Sequence, residues 1–415
     1  MSVSQIPLIA RAMKKNRLVA GILLLQVIIA TACVTNIAFL LAQRVETLAY
    51  DTGLREQGLG IIETEFVGSA AANAATAVKA DMQVLRNVAG VQAVVAAESL
   101  PLSQHNWTVG FTNVPVQGQD MAGIVEAEPA VYGMSAGAVQ ALGMHLVAGR
   151  DFSAASFVQT EAAQDYAGLY KASEAIVSAA LARHLFGSAN AVGRDLYTDG
   201  IHPLRIVGVV DTLSRPVLRT DGDNDMSLLL PLIPDGTRVM YAVRSEPDAL
   251  SAVLDSARNA LAAREANRML PRVQRFSELR AEYFRRDQTM AIIFLCAGIS
   301  LLIVTGTGVY GLASFWVRKR YPQIGIRRAL GARRRDVISF FMIENLMLTF
   351  VGAIAGSVLA LALNVWVSRY YEVPRIDPGY LVLGVGLVFA LGQLAAWVPA
   401  RRAAREAPVA VLNST

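Results

Sequence analysis

Four histidines, His105, His145, His184 and His202, are the residues of this 415-residue chain best suited by type to hold a metal or move a proton. None lies three or four positions from another and none has a cysteine nearby, so no zinc-ligand spacing exists. The sequence contains no G-x-x-x-x-G-K-[ST] phosphate loop and no G-x-S-x-G nucleophile elbow. "HNWT" carries an N-x-T pattern at Asn106, which is frequent by chance and silent about function. The chain is therefore expected to hold no catalytic residue, no metal and no cofactor of its own. The stretch that invites a different chemistry is "RKRYPQIGIRRALGARRRDVISFFMIENL", residues 318 to 346, a basic segment punctuated by glycine and wedged between two apolar runs. Two helical turns over 324–330 place Ile326, Ala329 and Leu330 together at i, i+3 and i+4 with Arg327 and Arg328 alongside, and Gly331 is a natural helix stop. An apolar knob with a basic rim suits a protein socket. An anchor on anionic lipid accounts for the arginines, but less well for Gly325 and Gly331 beside apolar residues that lipid binding alone would make larger.

The elements that position this segment follow from composition. With 54% hydrophobic and 17% charged residues, the chain is richer in apolar side chains than a soluble globular domain. Four runs free of charge, 18–43, 288–317, 345–368 and 378–400, each supply the roughly 20 residues a helix needs to cross a bilayer. We therefore expect transmembrane helices over 18–43, 288–317, 337–368 and 378–400. The first run outlasts a signal-peptide core, continuing through "VTNIAFLLAQ", and reads as an uncleaved anchor.

Lys and Arg counts set the expected orientation. Residues 1–17, 318–336 and 401–415 together hold 15 basic and 2 acidic residues, which makes the N-terminal segment, the segment between the second and third spans, and the tail cytoplasmic. The 44–287 insert holds 21 basic and 28 acidic residues and belongs outside. The net charge of +5 thus resides at the membrane edge, where it meets lipid, and is no sign of nucleic-acid binding.

The fold class expected is a membrane protein of four transmembrane α-helices with a large α+β periplasmic domain inserted between the first and second. Cys33 and Cys296 both fall inside spans, so the insert has no disulfide and depends on its own core. Strand, helix and strand patterns occur at "GIIETEF" (60–66), "AANAATAVKADMQVLRNV" (71–88) and "VQAVVAAESL" (91–100). They recur at "RVMYAVRS" (238–245), "DALSAVLDSARNALAAREAN" (248–267) and "RVQRFSE" (272–278). Two βαβ-like units, about 50–104 and 232–278, should bracket an inserted subdomain of about 105–231. The helical pattern starting at "FSELRAEYFRRD" is expected to run unbroken into the second span.

Within the spans, Gly352, Gly356, Ala360 and Asn364 recur every four residues, a helix-packing stripe of small residues that serves either packing inside one subunit or a subunit contact. The first span carries Gln26, Thr31, Thr35 and Asn36 for interhelical hydrogen bonds. Apart from Glu344 at the cytoplasmic edge, no acidic or basic residue sits within a span, which disfavours an ion relay.

"QIGIRRALGARRRDVISFFMIENLMLTFVGAIAGSVLA" resembles the signature of the FtsX-like permease family, which includes the MacB-type ABC exporters, and "PARRAAREAPVAVL" (399–412) resembles its C-terminal end. "ALGMHLVAGRDFS", "EAIVSAALARHLFGSANAVGRDL" and "RIVGVVDTL" are similar to the periplasmic core domain of MacB-type permeases. The resemblance implies a permease working as a dimer, with a second copy or a paralogous permease, on a cytoplasmic ABC ATPase dimer that binds ATP and Mg. Because 17 residues precede the first span, that ATPase is expected to be a separate chain. The resemblance assigns ATPase coupling to Gln323, Ile324, Gly325, Ile326, Arg327, Arg328, Ala329, Leu330 and Gly331, with a departure at Gln323, where the family motif usually has an acidic residue. It further implies export of a peptide, antibiotic or other amphiphile from the periplasm, with a periplasmic adaptor and an outer-membrane duct. The alternative it leaves is a lipoprotein-release permease or an FtsX-type signal transducer.

Overall fold

The computed structural model describes residues 17–68, 74–116, 123–159, 166–219, 222–234, 237–264, 267–321, 324–326, 333–371 and 375–405. The chain forms two compact units, residues 50–285 and the remainder, Met1–Ala49 with Arg286–Thr415.

In the second of these, four helices among the described residues are long and apolar enough to cross a membrane. They are Arg17–Leu48, Arg285–Lys319, Arg334–Tyr371 and Pro378–Ala403, called the first to fourth spans below. The helices outlast the charge-free runs because helical hydrogen bonding continues into polar flanks. Arg44, beyond the first run, reaches Asp287 near the start of the second span at 2.8 Å. The fourth span starts with Asp377 as N-cap, its carboxylate accepting from Gly379 N, and with Pro378 at the first helical position, where its missing N–H costs nothing.

The first span is the hub. The third and fourth spans pack on it and on each other, and the second is the least buried of the four. Close approach is bought with glycine: a Cβ at Gly384 of the fourth span would lie 2.1 Å from Thr35 Oγ1, and one at Gly308 of the second 2.1 Å from Gln26 Nε2. Ala20, Leu23, Val27, Ala30 and Val34 of the first span form the apolar seam with Trp316, Leu348 and Val388.

The 50–285 unit contains two large sheets. In the first, β1 (Leu59–Phe66), β2 (Ala93–Ala97), β3 (Arg238–Arg244) and β4 (Arg268–Arg275) lie in the order β4-β1-β3-β2, every neighbouring pair antiparallel. Helix α1 (Ala74–Arg86) links β1 to β2 and α2 (Leu250–Arg264) links β3 to β4. The two βαβ patterns are thus interleaved, each with a strand of the other between its own, which is the split βαβ arrangement of ferredoxin-like domains. Ile62, Phe66, Val94, Tyr241 and Val243 of the sheet pack with Val78 and Leu85 of α1 and Leu254 and Leu261 of α2. The central pair β1 and β3 is buried almost throughout, although β1 carries Glu63, Thr64 and Glu65 in its second half.

Between β2 and β3 the chain builds an eight-stranded mixed sheet from residues 111–230 with its own core, including Phe111, Ile206, Val209, Leu228 and Leu230. Ser178, between strand Glu174–Ser178 and helix Ala179–Phe186, joins three elements: its Oγ accepts from Leu181 N as N-cap and from Ser227 N, and donates to Asp225 O.

The helical pattern from Phe276 is interrupted. Phe276–Tyr283 and Arg285–Lys319 are separate helices, with Phe284 between them at φ −89°, ψ 7°. Local bonds set the break: Tyr283 Oη accepts from Leu218 N, Arg280 binds Glu56 and Tyr50 O, and the Phe284 ring is buried against Tyr283 and Arg280.

Candidate functional site

The segment between the second and third spans holds the candidate docking residues. Ile324, Gly325 and Ile326 are helical; Gln323, Arg327, Arg328, Ala329, Leu330 and Gly331 lie outside the described residues. Ile324 is 8% exposed and packs with Val317 of the second span, Val337 and Phe341 of the third, and Ala400 and Ala403 of the fourth. Ile326 is 56% exposed. Two positions apart on a helix, the two side chains diverge by about 200°. One isoleucine therefore roots the segment in the bundle while the other is presented outward. At the far end, Arg333 N donates to Asp336 Oδ2 at 2.9 Å, a cap that places an acid in the first turn of the third span.

An ion pair closes the base of the segment. Arg320 Nη1 and Nη2 donate to Glu344 Oε2 and Oε1 at 2.7 and 3.1 Å, the two-pronged geometry in which guanidinium and carboxylate bind most strongly. The side chains are 12% and 2% exposed. Trp316 and Phe340, each four residues before its charged partner, stand over the guanidinium with ring centroids at 5.1 and 6.0 Å. The sequence identifies Glu344 as the one acid within an expected span but gives no partner for it. The available signal is the matching spacing, an aromatic one turn before an arginine and another one turn before the acid.

The small-residue stripe of the third span faces the first span of the same chain. A Cβ at Gly352 would lie 2.7 Å from Val27 Cγ1, and one at Gly356 2.6 Å from Thr31 Cβ and 2.7 Å from Ile28 O. Ala360 is fully buried and its carbonyl accepts from Asn36 Nδ2 at 3.4 Å. Asn364 Oδ1 accepts from Ile376 N at 3.1 Å and so secures the approach to the fourth span. Gln26 Nε2 donates to Thr305 O of the second span at 3.2 Å.

The histidines are dispersed. His105 lies between Ser103 O and Arg238, His184 meets Glu126 O, and His202 meets Asp199. No group of three metal-ligating side chains occurs among the described residues. The arrangement suits docking and the transmission of movement along helices.

A four-span bundle, a large α+β domain between its first and second spans, and a pinned basic segment between its second and third define a membrane permease with an extramembrane domain. The chain belongs to the FtsX-like permeases of the MacB type: residues 20–268 match the MacB-like periplasmic core domain and residues 293–408 the FtsX-like permease C-terminal domain. The 50–285 unit is accordingly its periplasmic domain. The chain is 28% identical over 250 residues to the pyoverdine export ATP-binding/permease protein PvdT of Pseudomonas aeruginosa, covering 58% of this chain and 37% of that one. It is 30% identical over 237 residues to the macrolide export ATP-binding/permease protein MacB of Nitrosomonas europaea, covering 54% and 35%. It thus spans little more than a third of the length of these curated relatives. Among solved structures, the periplasmic region of MacB from Actinobacillus actinomycetemcomitans matches at 12% identity and a TM-score of 0.31, covering 57% of this chain and 97% of that one.

Proposed function

We propose that this chain is the transmembrane permease subunit of a MacB-type ABC transporter, which couples ATP hydrolysis by a cytoplasmic ATPase dimer to movements of its own periplasmic domain. The substrate class is a peptide, antibiotic or other amphiphile taken from the periplasm, in keeping with the pyoverdine and macrolide export named for its relatives. ATP and Mg bind the ATPase, since the sequence has no phosphate loop. A second permease, identical or paralogous, completes the membrane unit, and a periplasmic adaptor with an outer-membrane duct completes the path. The membrane is the bacterial inner membrane, with both termini cytoplasmic.

The observation that carries this reading is the segment between the second and third spans, which lies inside the FtsX-like match and is rooted by Ile324 while Ile326 stands exposed. A socket on the ATPase would take the exposed apolar side chain; a lipid-facing segment would tolerate its replacement if charge were kept. Family membership alone also admits lipoprotein release, but the MacB-like core domain over 20–268 favours export.

Ile326→Asp, and separately Leu330→Asp, should leave membrane insertion and the periplasmic domain intact while weakening ATPase association and abolishing permease-dependent ATP turnover. An apolar anchor of this size contributes roughly 1.5 to 3 kcal/mol when buried. Arg334→Ala should have a much smaller effect. Copurification of the ATPase and transport at wild-type levels in both aspartate variants would remove the docking role and leave lipid anchoring in its place.

A further inference from the structure

We infer that Glu344 is a positioning residue for the docking segment: by gripping Arg320 it sets where the segment is presented to the ATPase. The inference rests on the docking reading above and adds to it a residue that itself stays inside the bundle.

Three observations lead there. The second span is the least buried of the four, and its last turn meets the bundle through two apolar side chains, Trp316 and Val317. To this packing is added an oriented contact, the two-pronged bond from Arg320 to Glu344. A guanidinium and a carboxylate joined at both prongs share a plane and one orientation, which a single hydrogen bond or an apolar contact does not impose. Trp316 and Phe340 restrict the guanidinium further.

The second observation is the position of Arg320 in the chain. It directly follows the last residue of the second span, and its carbonyl accepts from Ile324 N at 3.0 Å, starting the turn that carries Ile324 inward and Ile326 outward. Displacing Arg320 therefore displaces the first turn of the segment. The third is the place of Glu344 in the third span, one residue before Asn345, whose Nδ2 donates to Gly392 O of the fourth span at 3.0 Å. The acid is thus mounted on a part of the bundle fixed by its neighbours. The end of the second span is thereby tied to the third span at a point that the fourth also holds.

The test uses the full chain in native membranes with the ATPase that copurifies with it. Three variants are compared with wild type: Glu344→Gln, the neutral pair Arg320→Gln with Glu344→Gln, and Arg320→Lys, which keeps the charge but loses the fork. The readouts are the half-saturating ATPase concentration, the maximal turnover per bound ATPase, thermal unfolding, and the maleimide labelling rate of Ile326→Cys in a background lacking Cys33 and Cys296. Glu344→Gln and the neutral pair should raise half-saturation at least about tenfold, a typical size for coupling between sites. They should also change the labelling rate and leave maximal turnover within about twofold, with Arg320→Lys intermediate. A purely structural role would lower thermal stability and the folded amount while the surviving protein kept wild-type half-saturation and labelling, and that result overturns the inference. Should the neutral pair not fold, wild-type half-saturation in Arg320→Lys together with Glu344→Gln overturns it equally. Ile326→Asp separates the two claims. If it weakens association while the Glu344 variants do not, positioning falls and docking stands; if it too is without effect, docking falls first.

Discussion

Glu174 illustrates how one side chain organises a surface of the periplasmic domain. It begins a strand of the eight-stranded sheet, accepts from Arg150 Nη2 at 2.6 Å and from Ser156 Oγ at 2.6 Å, and so fastens the 150–156 turn to the sheet. Burial pushes its carboxyl up, but the hydrogen bonds from Arg150 and Ser156 outweigh burial and hold it below the ordinary carboxylate range. A carboxylate depressed in the folded state stabilises above its unfolded pKa, about 4.3 for Glu, and loses that contribution as pH falls through the folded value. Glu174→Gln should therefore be less stable than wild type at neutral pH, by about 0.5 to 1 kcal/mol because Arg150 is half-exposed and the pair is screened. Denaturant unfolding across a pH series should show the gap constant near neutrality and closing below about pH 4. A gap that stays constant into acid would mean that the carboxylate contributes nothing through its charge.

At the scale of elements, the small-residue stripe gives a direct test of helix packing. Gly356→Leu places side-chain atoms where Thr31 and the carbonyl of Ile28 already lie, so the first and third spans must separate. Overpacking of this kind costs about 1 to 3 kcal/mol, which detergent-solubilised protein should register as a lower unfolding temperature. Gly386 of the fourth span is the matched control, because a Cβ there meets nothing within 4 Å. Gly386→Ala should be neutral or stabilising by up to about 1 kcal/mol through helix propensity. Equal melting of Gly356→Leu and wild type would place the stripe against lipid. The four spans were legible in the sequence because a bilayer demands long apolar runs and the chain has four. The four-residue spacing was legible too, but not its partner, since the spacing leaves open which helix it faces. The interleaving of β1 to β4 was hidden for a related reason: Ile62 pairs with Tyr241, and no local pattern reports a pairing across so much chain. Asp81 leaves a trace in the local pattern. It sits between Val78 and Leu85 on the apolar face of α1, an acid where the core should be, and it is held there by Arg264, Arg268 and Tyr241. Ile324 and Ile326 look alike as neighbours in a basic segment; their division into an inward and an outward side chain depends on a core assembled from three spans.

For the whole molecule, the question is on which side of the membrane each part lies: family membership places the large domain, and charge gives an expectation for the rest. The three flanks with 15 basic and 2 acidic residues should lie together on the cytoplasmic side by the positive-inside rule. The 50–285 unit, matched by a periplasmic core domain, belongs to the other. An even number of spans then returns the chain to the side on which it started, so both termini should share the cytoplasm with the docking segment. Exposed positions make this testable: Ser153 and Ser256 lie on the surface of the periplasmic unit, whereas Ser245 is buried and would resist a reagent from either side. With Cys33 and Cys296 replaced, Ser153→Cys and Ser256→Cys should be labelled by a membrane-impermeant maleimide in intact spheroplasts. Arg333→Cys, at the exposed start of the third span, should react only after the membrane is opened. Protection of both serine-derived sites in spheroplasts that label fully once lysed would invert the arrangement. It would also remove the docking segment from the compartment that holds ATP.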